Sequence, residues 1–178
     1  MDAVYPGPGG LGGTIAMLEK PPEMRNWKAR LVTRLMHGYF ALARGMTLGV
    51  RAACFDAEGR IFLVRHSYVP GWHMPGGGLE RHETAQQALV KELREEGNLE
   101  MTDPPELFHV YFNRLTSRRD HVLFYRCGNV RQTAVKKPDR EIVETGFFAL
   151  DDLPPGTTAA TRRRLSELSG KMPPAEFW

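Results

Sequence analysis

Apolar positions recur along the chain with two distinct periods. Over residues 24–44, Trp27, Leu31, Leu35, Tyr39 and Leu42 return every three to four residues, with Arg30, Arg34, His37 and Arg44 on the other side. That spacing predicts an amphipathic helix. No anchor flanks it, so it reads as a helix packed on the domain with a solvated basic face, rather than a membrane-surface or nucleic-acid helix. Continuous β-branched and apolar runs follow at 46–55 and 60–66, joined by Asp56-Ala57-Glu58-Gly59, the pattern of a hairpin with a longer loop. A turn-rich stretch over 67–83 leads to 84–96, where Ala, Leu, Gln, Lys and Glu predict a second helix. Runs at 107–115 and 120–128 predict another hairpin with its tip at 116–119, residues 145–150 a short strand, and 161–168 a short basic helix. Strands interrupted by one central helix argue for a mixed α/β domain.

The ends differ in kind. Residues 1–13, MDAVYPGPGGLGG, gain little by ordering and are expected to be disordered. Gly7, Gly9 and Gly12 match the dinucleotide-binding fingerprint formally, but no strand precedes them and Pro8 sits inside, so that reading is set aside. The expected organisation is a flexible tail (1–23), the amphipathic helix (24–45), the main domain (46–170) and a C-terminal tail (171–178).

Composition narrows the class. A chain of 178 residues with 42% hydrophobic and 25% charged residues is long enough for one cored domain and too apolar for global disorder. No run approaches the ~18 apolar residues of a membrane span. Cys54 and Cys127 are too few for a disulfide scaffold, which points to a reducing, cytoplasmic setting. The net charge of +3 suits anionic substrates and is weak evidence for nucleic acid.

The chemistry concentrates in the helix at 84–96. With Ala85 at zero and about 100° per residue, the apolar arc runs from Ala88 at about 300° to Val90 at about 140°. Glu92 falls at about 340° and Glu96 at about 20°, inside that arc, with Glu95 at its edge at about 280°. Two inward carboxylates one turn apart are costly unless compensated by Arg or Lys or by a divalent cation. Glu92, Glu95 and Glu96 converge within one turn, and all-oxygen clusters suit Mg²⁺ or Mn²⁺. Gly76, Gly77 and Gly78 lie just upstream, where a carbonyl can ligate a metal and amides can face phosphate.

The stretch 77–99, GGLERHETAQQALVKELREEGNL, resembles the Nudix box, Gly-x5-Glu-x7-Arg-Glu-U-x-Glu-Glu-x-Gly-U, with U aliphatic. Gly77, Glu83, Glu92, Leu93, Glu95, Glu96 and Leu99 match; Lys91 stands in place of Arg and Asn98 in place of Gly. Lys keeps the charge without the planar fork, and Asn tolerates the left-handed backbone. The resemblance covers roughly residues 46–154. It implies the Nudix fold, an α/β/α sandwich around a mixed sheet, and Mg²⁺- or Mn²⁺-dependent hydrolysis of a nucleoside diphosphate linked to another moiety, such as ADP-ribose or a nucleotide sugar. It also implies that the Gly77 carbonyl, Glu92, Glu95 and Glu96 hold metal. Glu92, Glu95 or a downstream acid would serve as base, and Glu141 and Glu144 lie where relatives often add an acid. Lys91 with Glu83 would orient the box.

Outside the box, Tyr68, Trp72 and Phe112 are candidates to stack on a base, though more in character as core. Arg51, Arg65, Arg114, Arg118 and Arg119 are candidates for phosphate, and Gly76 and Gly78 for substrate amides. His66, His73 and His82, spaced by seven and nine, do not match a compact zinc motif. A nucleoside triphosphate pyrophosphatase and a catalytically idle nucleotide sensor are the alternatives. The partner expected is a nucleotide-derived small molecule, with a homodimer compatible.

Overall fold

Strand residues alternate strictly between two apolar faces. In the strand Thr47–Cys54 (β1), Val50, Ala52 and Cys54 enter one buried cluster and Ala53 the other. In Ile61–His66 (β2), Phe62 and Val64 enter the first cluster, Ile61 and Leu63 the second. That period-2 division needs cover on both sides. The helix Ala85–Gly97 (α2) covers the first face with Ala88, Leu89 and Leu93. The helix Ala159–Leu168 (α3) covers the second with Leu165 and Leu168. Fully burying Leu89 and Leu93 contributes roughly 1.5–3 kcal/mol each. The result is the α/β class with a mixed sheet.

The computed structural model describes residues 27–43 and 45–178. The predicted tail at 1–23 lies outside them. The chain divides into two units, Met1–Gly45 and Met46–Trp178. The first contains the helix Trp27–Ala43 (α1), on which Leu31 and Leu35 are exposed. Among the described residues no helix is long and apolar enough to cross a membrane.

In the second unit, the remaining strands are Trp72–His73 (β3), Leu99–Met101 (β4), Glu106–Phe112 (β5), Asp120–Cys127 (β6), Val130–Gln132 (β7) and Ile142–Phe148 (β8). The ladders run β1-β6-β5, β3-β2-β8 and β4-β7. The predicted β5–β6 hairpin forms, antiparallel. The predicted β1–β2 hairpin does not. Asp56 to Gly59 does reverse the chain, with Asp56 N–H donating to the Arg60 carbonyl at 3.2 Å, but only an isolated Phe55–Ile61 bridge joins the two runs. β1 instead pairs in parallel with β6 from Thr47–Asp120 to Cys54–Cys127, and β2 pairs with β8.

Residues 171–178, expected as a tail, contain no helix or strand, yet their end is docked on β5. Phe112 N–H donates to the Glu176 carbonyl at 2.9 Å, and Trp178 N–H donates to the Phe112 carbonyl at 3.2 Å. Trp178 packs edge-on against Tyr111 and Phe124.

Candidate active site

The acidic helix begins and ends on side-chain chemistry. Thr84 caps α2, its hydroxyl accepting from Gln87 N–H while the Gln87 side chain accepts from Thr84 N–H, a reciprocal capping box. Asn98 closes the helix in the left-handed region at φ 51°, its N–H directed to the Leu93 and Arg94 carbonyls. Asparagine thus does serve where the family box has glycine.

Just before the helix, residues 75–79 run along β1. Ala52 N–H donates to the Pro75 carbonyl at 3.0 Å, Val50 N–H to the Gly77 carbonyl at 2.8 Å, and Leu79 N–H to the Leu48 carbonyl at 2.9 Å. The three glycines have different reasons. Gly76 has φ +141°, and a Cβ there would run into the Val50 carbonyl oxygen. A Cβ on Gly77 would lie 2.5 Å from Glu92 Oε1, so the carboxylate rests directly on that backbone. Around Gly78 there is open space.

The three helix carboxylates are graded in burial. Glu96 is buried, Glu92 half-buried and Glu95 exposed. Gly76 N–H donates to Glu96 Oε2 at 2.8 Å, so Gly76 positions the acid rather than facing a substrate. Burial pushes the Glu96 carboxyl up to about 7, with Arg51 and the Gly76 amide opposing and the charges of Glu92 and Glu141 adding. Burial also raises Glu92, partly offset by Lys91. The buried acids and the unpartnered His66 ring beside Glu96 fit a divalent cation in the donor set and in the charge that needs compensation. The Gly77 carbonyl retains one lone pair beyond its Val50 bond.

Two cavities meet this edge. One of about 390 Å³ is lined by Glu92, Glu95, Glu96, Glu141, Lys136 and Asp139. A larger one of about 740 Å³ is lined by Arg51, Gly77, Gly78, Glu80, Glu83 and Trp178, among others. Arg51 is half-buried, and its guanidinium donates to the Met74 carbonyl at 2.8 Å. Of the two downstream acids, Glu141 joins the site; Tyr68 O–H donates to its carboxylate at 3.0 Å.

Several sequence candidates fall elsewhere. Trp72 is buried, edge-on to Phe148 at 5.0 Å in the core, so its ring is unavailable for stacking on a base. Arg65 lies over Trp72 and pairs with Glu144 at 2.6 Å across the β2–β8 ladder. That places both on the opposite face of β2 from Val64 and the glutamates, because alternate residues point apart. Phe112 stacks on His121 at 5.2 Å. Tyr68, 64% exposed, is the aromatic candidate that stays at the site, its ring 5.1 Å from that of His66.

Lys91 does not reach Glu92. Its ammonium lies 3.3 Å from Glu83 and 3.1 Å from Glu80, as an orienting pair would, and Glu83 also accepts from Glu80 N–H. That amide and Lys91 hold Glu83 below the usual carboxylate range. Arginine keeps the positive charge beside Glu80 and Glu83, so Lys91→Arg is expected to leave kcat/KM equal or raised by no more than about fivefold. A large loss in steady-state kinetics would assign the lysine a dedicated role.

The family model described as the NUDIX domain matches residues 45–168. Among curated proteins the chain is similar to an RNA pyrophosphohydrolase of Hydrogenovibrio crunogenus, 38% identical over 61 residues, covering 34% of this chain and 37% of that protein. The chain thus spans about a third of the length of that relative. Among solved structures it is similar to a MutT NUDIX hydrolase from Burkholderia pseudomallei (27% identity, TM-score 0.58, covering 68% of this chain and 97% of that one). It is also similar to an ADP-ribose pyrophosphatase from Streptococcus suis (29% identity, TM-score 0.51, covering 74% and 95%).

Proposed function

The chain belongs to the Nudix family and is a Nudix hydrolase, and from that premise we propose that it cleaves the diphosphate bond of a nucleoside diphosphate linked to a second moiety, of the ADP-ribose or nucleotide-sugar kind, with Mg²⁺ or Mn²⁺. The observation that carries this reading is the seating of Glu92 on Gly77 and of Glu96 on the Gly76 amide, beside a cleft of about 740 Å³. That volume is in the range of small-molecule sites. The likeness to the ADP-ribose pyrophosphatase of Streptococcus suis supports the substrate class.

Glu92, Glu95, Glu96 and the Gly77 carbonyl would hold the cations, with Glu141 adding charge. Bound there, divalent ions offset the charge of the diphosphate and acidify water. The protein's own groups do the rest. Arg51 and the Gly78 amide meet phosphate oxygens in the larger cleft. Glu92 or Glu95 takes the proton of the attacking water, and Tyr68 offers an exposed ring to a base.

A panel of nucleotide substrates with Mg²⁺, read by product identity, tests this. Nucleoside monophosphate plus a sugar phosphate is expected. Monophosphate plus pyrophosphate would instead assign the triphosphate class, and nucleotide binding without turnover would make the domain a sensor.

Proton and cation compete for Glu96, which gives a pH prediction. Its folded-state value of about 7 lies above the ordinary 4.5, so the metal-free protein loses stability from this group as pH rises from 4.5 through 7. His66, depressed to about 4 chiefly by burial, acts oppositely below 6.5, so the window in which it no longer opposes Glu96 runs from 6.5 upward. The melting-temperature rise on adding Mg²⁺ is therefore expected to be larger at pH 8 than at pH 6.5. Equal rises by differential scanning fluorimetry would remove Glu96 from the cation set.

A further inference from the structure

One buried group beside the glutamates is not among the ligands assigned above, Glu92, Glu95, Glu96 and the Gly77 carbonyl. His66 ends β2 with its side chain only 2% exposed, and among the described residues neither ring nitrogen has a hydrogen-bond partner. Buried polar atoms are nearly always paired, so an orphaned imidazole calls for a ligand. Its Nε2 lies 3.5 Å from Glu96 Oε1, the oxygen not engaged by Gly76. That is long for a hydrogen bond. It is close to the ~3.4 Å separating two ligands held about 2.1 Å from one tetrahedral ion.

Glu141 supplies a third donor. One ligand atom from each of His66, Glu96 and Glu141 lies within 4.8 Å of the others. The backbone is built to bring them together. An extra residue in β8, Val143, stands opposite the Arg65–His66 step, and such a bulge re-aims the side chains beside it. Ser67 N–H then donates to the Glu141 carbonyl at 2.9 Å, and Tyr68 O–H holds its carboxylate. Glu141 is exposed, which leaves an entry path from solvent. The second nearby imidazole is occupied, since His73 Nε2 lies 3.0 Å from the Pro70 carbonyl. Arg51 is the opposing charge, and its guanidinium is turned to the Met74 carbonyl.

We propose that His66, Glu96 and Glu141 form a mixed imidazole–carboxylate site for a first-row transition cation, sharing Glu96 with the glutamate set of the hydrolase reading on which it rests. A nitrogen donor favours Mn²⁺, Fe²⁺, Co²⁺ or Zn²⁺ over Mg²⁺, which keeps to oxygen. Two carboxylates and a neutral imidazole balance one dication, which relieves the cost of burying Glu96.

The test is Mn²⁺ added to the metal-free full chain, followed by electron paramagnetic resonance. The free-ion signal counts bound Mn²⁺, and the pulsed spectrum reads coupling to ¹⁴N. Directly bound imidazole nitrogen is expected in the unaltered protein. His66→Leu should abolish that coupling and weaken Mn²⁺ binding by at least about tenfold. Glu141→Gln, at an exposed position that does not endanger folding, should weaken binding while nitrogen coupling persists. Bound Mn²⁺ that shows no ¹⁴N coupling, alongside intact Mg²⁺-dependent turnover, would overturn this site and leave the hydrolase reading standing. Absence of both cation binding and turnover would overturn both.

Discussion

Glu92→Gln is expected to lower turnover about 10²–10⁴-fold with the fold intact. The size follows from where the carboxylate sits. It rests on the Gly77 backbone so closely that even a methyl group there would collide with it, and it lies half-buried at the rim of the acidic cavity. Its charge is therefore positioned by packing. Gln keeps the shape and removes the charge. Burial already disfavours the ionised form, so the neutral amide should leave melting temperature unchanged or slightly raised. A thousandfold drop corresponds to about 4 kcal/mol of transition-state stabilisation. Glu95→Gln at the exposed position should cost less. Saturating-substrate kinetics with circular dichroism on the same samples decide the matter. An unchanged kcat for Glu92→Gln would remove this residue from the chemistry.

The position of those acids was readable before any coordinates, because a helix of known period converts residue spacing into direction. The wheel put Glu92 and Glu96 inward and Glu95 at the edge, and their burial follows that order. It also put Val90 on the apolar arc, where it is 39% exposed, since the arc's limits depend on what packs opposite. Pairing between distant segments was not readable. The 46–55 and 60–66 runs carry a genuine turn between them, but β1 finds its partner in β6, from Asp120 onward, and local pattern carries no information about that. Similarly, Trp72 and Arg65 have the chemistry of a nucleotide site. Only the pairing of β2 with β3 and β8 shows them on the face that packs toward α3. His66 was set aside because the three histidines lack metal spacing among themselves. Its companions in the proposed site are carboxylates on α2 and just before β8, brought to it by tertiary structure and a bulge. The docked C-terminal segment carries its own signal in the sequence: Phe177 and Trp178 are large apolar residues in a stretch otherwise like a tail.

That docking depends on a charge the sequence presented as part of a basic helix. Arg164 is fully buried. Its guanidinium lies 2.6 Å from the equally buried Glu167, donates to the Phe177 carbonyl at 3.1 Å, and sits over the Tyr111 ring at 4.0 Å. Glu167 in turn accepts from Tyr111 O–H at 2.7 Å and Ala175 N–H at 3.2 Å. Desolvation and the Glu167 bond both push the Tyr111 hydroxyl well above its ordinary range. Replacing Arg164 by Met fills the volume but leaves the Glu167 carboxylate buried without a cation. Breaking one side of such a pair costs roughly 3–5 kcal/mol, so the denaturation midpoint in urea should fall by that equivalent. The penalty is expected to lie in the stranded charge rather than in lost attraction. Adding Glu167→Gln to Arg164→Met should therefore recover stability, because the amide oxygen still accepts from Tyr111 and nothing charged remains buried. If the double variant is no more stable than the single one, the guanidinium holds the segment by its contacts with Phe177, Tyr111 and Trp178 instead, and the energy belongs to packing. Either outcome reaches the cleft of about 740 Å³, because Trp178, which the Arg164 network anchors, forms part of its wall.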